Sequence, residues 1–162
     1  MKTTTSKPSV SAKVKKLAPN LAKGFPRSPR ATLGGYVLAA RAVDKGRADL
    51  AGTIGEYHFD CPLDNMFLGF AGLKGSDLRD YLATGADDKA VAQWIEEHAQ
   101  KRPRVEIIKW NNDWRYKRIS ELPDKLQEFM EDYIPKNVPA TLIPRLVYFF
   151  DIYDAEEKRI KA

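Results

Sequence analysis

The chain is poor in the residues that carry most recognisable chemistry. Its 162 residues include one cysteine, Cys61, and two histidines, His58 and His98. A single cysteine excludes an internal disulfide framework and suits a reducing compartment. Cys and His together are too few for a closed four-ligand structural zinc site. Long apolar runs are missing as well. The longest, Leu146 to Phe150, falls far short of the ~20 residues that span a bilayer. No apolar h-region follows the basic start, which argues against a secretory signal. Neither the glycine-rich dinucleotide fingerprint nor the P-loop pattern occurs, so no nucleotide cofactor is indicated, and no internal repeat is found. These absences lead us to expect a soluble cytoplasmic protein with no cofactor and no membrane attachment. A hydrophobic fraction of 43% suffices for a single core.

Acids are scarce in the N-terminal third. Residues 1–47 carry eleven Lys or Arg against one acid, Asp44, while residues 48–162 carry sixteen bases and twenty-one acids. The net charge of +5 therefore hides a basic N-terminal third and an acidic remainder. A basic arm can bind phosphate-rich partners by counterion release. It can also be a solvated tail, or lie across the acidic body of its own fold. Residues 1–20 are rich in Lys, Ser, Thr and Pro and short of large apolar groups, so disorder is expected there. Residues 21–162 are expected to form one domain.

Hydrophobic spacing within that domain is predominantly helical, and the predicted class is all-α: a single irregular multi-helix domain behind a flexible basic tail. Ser28-Pro29 reads as a helix start, with Leu33, Tyr36, Val37, Ala40 and Val43 facing the core and an end between Gly46 and Gly52. Cys61-Pro62-Leu63-Asp64 reads as a second start, with Pro in the first turn and Asp64 facing the helix dipole. Further helices are expected from Ser76 or Asp77, from Asp87, and over Arg104 to Ile119. Two more are expected over Ser120 to Ile134, ended by Pro135, and over Thr141 to Tyr153.

Reactive groups concentrate in Gly55 to Asp64, GEYHFDCPLD. A cysteine at a helix N-terminus sees unpaired N–H groups that favour a thiolate, and His58 could serve as its base. Asp60 and Asp64 act in the opposite sense, and a small buried cysteine beneath a helix cap fits the same residues. Glu56, His58, Asp60 and Cys61 are also metal-ligand types, although no metal site is predicted. The candidate catalytic set is Glu56, Tyr57, His58, Asp60 and Cys61. A second cluster is Arg41, Asp44, Lys45 and Arg47. On a helix Arg41 and Arg47 lie three residues either side of Asp44, within reach of one carboxylate. As a cationic pocket this cluster would hold a carboxylate or phosphate. The reading that follows is a cleft between the two segments that binds or transforms a small anionic molecule. The alternative is a module for nucleic acid or an acidic protein, using the basic arm and Lys109 to Arg118, where Trp110 and Trp114 are interleaved with bases. Those two rings, four residues apart, equally fit a core face. His98 fits a helix C-terminus, and Asp151 and Asp154 fit a helix end.

Several of these segments taken together resemble a known family. They are Pro26-Arg27-Ser28-Pro29-Arg30, Leu33-Gly34-Gly35, Arg41 with Asp44-Lys45 and Arg47-Ala48, the whole Gly55 to Asp64 window, and Asp151-Ile152-Tyr153-Asp154 after Phe149-Phe150. The set is similar to the bacterial domain-of-unknown-function family 5069, over about residues 20–155. The resemblance implies a bacterial, single-domain, intracellular protein with the N-terminal tail as an addition. It implies no activity, cofactor or catalytic residue.

Overall fold

The computed structural model describes residues 10–161. Eight helices and one small hairpin make up the regular structure of this part. The centre is helix α2, Ala39–Ala51, whose residues Ala39 to Ala48 are all buried. Alanines at 39, 40, 42 and 48 favour the helix and let neighbours approach from every side. Packed around it are α1 (Ala12–Leu17), α3 (Pro62–Ala71), α4 (Gly75–Leu82) and the hairpin strand β1 (Thr32–Leu33). Helices α5 (Asp88–His98), α6 (Arg104–Arg115), α7 (Asp124–Asn137) and α8 (Phe149–Glu156) complete the body. The mainly helical class expected from periodicity is the observed one. Among the described residues, no helix is long and apolar enough to cross a membrane.

The first predicted helix start is overturned. Strands β1 and β2 (Tyr36–Val37) pair antiparallel, with Thr32 opposite Val37 and Leu33 opposite Tyr36. Gly34 and Gly35 have φ of 62° and 91°, the two positive values that a two-residue hairpin turn demands. The glycine pair thus imposes a turn where the apolar spacing suggested a helix. Asn111, buried on α6, fixes the hairpin: its Oδ1 accepts from the Val37 N–H at 3.0 Å and its Nδ2 donates to the Gly35 carbonyl at 2.8 Å. The core assignment of Tyr36, Val37, Ala40 and Val43 holds all the same.

Helix α2 also runs straight through Gly46 and ends at Gly52, which caps it in the left-handed region. Gly46 is a packing residue. A Cβ there would lie 2.6 Å from Leu82 Cδ1 and 3.1 Å from Phe59 Cε2. The Cys61-Pro62 start is as expected, and Asp64 Oδ2 reaches back to accept the Asp60 N–H at 2.9 Å. Helix α7 continues through Pro135 to Asn137, and the Asn137 side-chain amide and the Val138 N–H take the Tyr133 and Ile134 carbonyls of its last turn. The helix expected over Thr141 to Tyr153 is broken in two. Pro144 limits the first part to a single 3-10 turn, and α8 begins only at Phe149, capped by Asp151 Oδ2 on the Tyr148 N–H at 2.8 Å.

Disorder over residues 1–20 does not hold for residues 12–17. Ser11 caps α1 through the Val14 N–H, and Val14 is fully buried against the body. A six-residue helix is unstable alone, so tertiary packing supplies what local propensity cannot. Residues 1–9 of the expected basic arm lie outside the described residues.

Candidate functional site

The basic N-terminal third meets the acidic remainder within this one fold. Arg27 bridges Asp44 at 3.0 Å and Asp88 at 2.8 Å. Arg30 bridges Asp151 at 2.7 Å and Asp154 at 2.6 Å. Arg41 pairs with Glu157, Lys45 with Asp64 and Arg47 with Asp88. The arginines of Pro26-Arg27-Ser28-Pro29-Arg30 therefore clamp a loop across α2 and α8. Arg159 closes the same clamp by donating to the Pro26 carbonyl and to Glu157.

The internal α2 network expected from spacing does not form. Asp44 binds the Arg27 backbone N–H and guanidinium, and neither Arg41 nor Arg47. Arg47 turns to Asp88 at 2.8 Å and to the Ala86 carbonyl at 2.9 Å. A helix allows contacts at three residues' separation, but a helix buried on all sides offers its charges better-aimed partners from other elements. Asp44 and Arg47 sit in that loop clamp, away from the cleft described next.

Arg41 and Lys45 lie on another face of α2 and line a cleft of about 1030 Å³. Its other walls are residues 21–25, the Gly55 to Met66 segment, and α7 and α8. Of the Gly55 to Asp64 window, Glu56, Tyr57, His58 and Cys61 reach this cleft, and Asp60 does not. Asp60 has φ of 60° and accepts from Asn65 Nδ2 at 2.8 Å, a local turn role. His58 is exposed and makes no hydrogen bond to Cys61. The thiol's partner is instead the buried Lys45 ammonium, which donates to Cys61 Sγ at 3.3 Å and to Asp64 Oδ1 at 2.7 Å. Among the described residues, no three His, Cys, Asp or Glu side chains gather as they would around a metal ion.

The floor of the cleft comes from a residue pair that the sequence reading passed over, Glu156 and Glu157. Arg41 grips Glu157 with both terminal nitrogens at 2.7 Å, and Tyr57 donates its hydroxyl to the same carboxylate at 2.8 Å. Burial opposes ionisation of Glu157, but the Arg41 hydrogen bonds and charge outweigh it, and its pKa falls below the ordinary glutamate range. Glu156 takes the opposite course. Burial raises its carboxyl, and the neighbouring Glu157 adds to this against the Tyr133 hydroxyl that donates at 2.6 Å. Tyr57, Tyr133 and Tyr153 are all pushed up by burial first, so their phenols remain protonated donors at neutral pH. The only sequence signal for this floor is the acidic run Asp154 to Glu157 directly after an aromatic stripe.

The remaining wall is apolar, built from Phe25, Leu63, Met66, Leu126, Phe129 and Met130. Phe25 and Phe129 stay 45% and 57% exposed at its edge. Trp110 and Trp114, the rings considered for base stacking, serve the core instead. Trp110 stacks on Phe70 at 4.7 Å, and Trp114 packs on Phe149 at 6.0 Å. His98 stacks on Trp94 and faces that residue's carbonyl at 2.9 Å, as a helix-end histidine.

No curated protein matches the chain. A family match does exist, and it spans the loop clamp, the cleft and the Glu156-Glu157 floor. Over residues 23–159 the chain belongs to the family described as "Domain of unknown function (DUF5069)".

Proposed function

We propose that the protein binds a small molecule in the cleft between α2, α3, α7 and α8. The observation that carries this reading is the convergence of one polar floor and one apolar wall on a single cavity of about 1030 Å³. A cavity of that size, mostly apolar with a few convergent polar groups, is the usual form of a small-molecule site. Tyr57, Tyr153, Glu156 and Cys61 would orient the ligand's polar group, and the Leu126 to Met130 face of α7 would hold its body. Cys61, held by Lys45, is the nucleophile available to any bound molecule, and the Tyr153 hydroxyl is the available hydrogen-bond donor, since that of Tyr57 already donates to Glu157. The anionic ligand suggested by Arg41 and Lys45 is less favoured by this geometry, because each cation already serves a buried carboxylate. A lone thiol facing the cleft fits a reducing setting, and we place the protein in the cytoplasm.

Two methionines on the cleft wall make the test direct. Met66 and Met130 line the cavity. Their isotope-labelled methyl signals should both move on adding members of a chemically mixed fragment set, and alkylation of Cys61 by iodoacetamide should slow with the same members. Leu126→Trp, which narrows the cavity at its apolar wall, should weaken both effects. Fragments that move neither methyl, or that act equally on the narrowed variant, would refute the reading.

A further inference from the structure

We infer that the cleft's ligand is an organic cation, a protonated amine on an apolar body, seated against Glu156 beneath the rings of Tyr133 and Tyr153. The inference rests on the small-molecule reading of the cleft and names the ligand's class. It follows from taking the charges one pair at a time. Arg41 is matched by Glu157 and Lys45 by Asp64. Arg159 is shared between Glu157 and Asp154. Arg30 is matched by Asp151 and Asp154. At the mouth lie the exposed Lys23 and Glu56, of opposite charge and with no ion pair between them. Glu156 alone among the charged groups of the cleft interior has no cation within salt-bridge distance among the described residues.

The hydrogen-bond inventory points the same way. Glu156 Oε2 accepts from Tyr133, and Oε1 has no partner among the described residues. The Tyr153 phenol likewise has no hydrogen-bonded partner there. The Arg41 Nε–H also has no partner, but it is sealed from solvent, so what the floor leaves open to the cleft is an acceptor carboxylate oxygen and a phenol, beside several aromatic rings. Phe129 stacks with Tyr133 at 5.5 Å, and Phe149 meets Tyr153 edge-on at 5.5 Å. These rings already tolerate a cation, since the Arg41 guanidinium lies 5.2 Å from the Tyr153 centroid and 5.7 Å from that of Tyr57. An ammonium group gains both from a carboxylate and from ring faces, whereas an anion would meet an unpaired carboxylate. The raised carboxyl of Glu156 is consistent with a site that lacks its counter-charge.

The test uses three probes of one shape: phenethylamine, phenethyl alcohol and phenylacetate, titrated calorimetrically into the full chain. Phenethylamine should bind at least about tenfold more tightly than phenylacetate, the worth of one charge-assisted hydrogen bond. Glu156→Gln keeps an acceptor for Tyr133 and should erase that preference while leaving the alcohol unchanged. A second readout is proton release. The groups facing Glu156 are Glu157 and Tyr153 on its own side, Tyr133 from α7, Arg41 from α2 and Tyr57 from the segment before α3. A bound cation lowers the Glu156 pKa, so across the pH range in which Glu156 titrates binding should release protons, seen as buffer-dependent heat that vanishes in Glu156→Gln. Equal binding of all three probes, or a preference for phenylacetate, would overturn the cation assignment and leave the cleft reading standing. If none of the three binds while the mixed fragments still move the methionine methyls, the cation assignment alone falls. If those methyls also stay fixed, both readings fall.

Discussion

Helix α2 carries cations on two faces, and they meet their acids in different settings. On the cleft face the pairs are sealed. Arg41 and Glu157 are 3% and 1% exposed, and Lys45 and Asp64 are likewise 3% and 1%. On the clamp face burial is one-sided. Arg47 is 5% exposed, but its partner Asp88 is 46% exposed, and Arg27 is 36% exposed against 12% for Asp44. The same helix and residue types therefore give two kinds of interaction. A sealed pair costs several kcal/mol to desolvate per ion and is held together by its geometry. A pair with one wet partner is screened, and it stabilises by ~0–1 kcal/mol. The comparison separates what shapes the cleft from what straps a loop to the body.

The strongest way to break this contrast is to remove one sealed partner. Arg41→Met should destabilise the fold by roughly 3 kcal/mol, read as a lowered midpoint in urea at an unchanged slope. The value lies at the lower end for a broken buried pair because Arg159 and Tyr57 still hold Glu157. Replacing both partners, Arg41→Met with Glu157→Leu, should recover most of that loss. A double variant no more stable than Arg41→Met would show that the loss comes from packing and not from a stranded charge.

The sealed pairs also mark where sequence reasoning stops. Arg41 and Glu157 lie 116 residues apart, and nothing in a single sequence matches one acid to one arginine over such a distance. Local rules did better where local physics decides. Pro62 and Asp64 mark the α3 start because a first helical turn tolerates proline and favours an anion. Gly34 and Gly35 are poor helix-interior residues that in sequence mark a later helix start or a close backbone approach; apolar spacing through Tyr36 and Val37 fits a helix, and the hairpin shows only in their two positive φ values. Cys61 and Lys45 were both singled out, but in separate clusters. Their meeting at 3.3 Å depends on how α3 packs on α2, which spacing along the chain does not encode. The basic N-terminal third of the chain supplies five cations to pairs inside the fold. Composition recorded the charge imbalance but not where each charge ends up.

On the clamp face the same substitution should cost much less. Arg47→Met leaves Asp88 with Arg27 and with solvent, so about 1–1.5 kcal/mol is expected, mostly from the Ala86 carbonyl left without its donor. Arg27→Ala should cost about 1 kcal/mol or less and should grow milder in high salt. The salt response is the sharper measurement. Arg41→Met should lose nearly the same stability at low and high ionic strength, because its partners are shielded from ions. If all three variants respond equally to salt, the distinction between the two faces of α2 fails.

The smallest expected effect lies inside the cleft, where neighbours on one helix end titrate in opposite directions. Glu157 is held below the ordinary glutamate range, so its stabilising share is present above that range and is lost as pH falls through its folded value. Glu156 is raised, so its share is full below the ordinary range and is lost as pH rises through its folded value. At neutral pH an ionised Glu156 is therefore a net cost. Glu156→Gln should raise stability there by less than about 1 kcal/mol, because the group is half-open to solvent. The gain should shrink to nothing below about pH 4, where both states of the native glutamate are protonated. Urea midpoints of the two proteins measured across that range would settle the sign. A variant less stable at neutral pH would mean that the Glu156 charge already has a counterpart in the free protein. The case for a cationic ligand would then lose its starting point, while the sealed pairs beneath it would keep theirs.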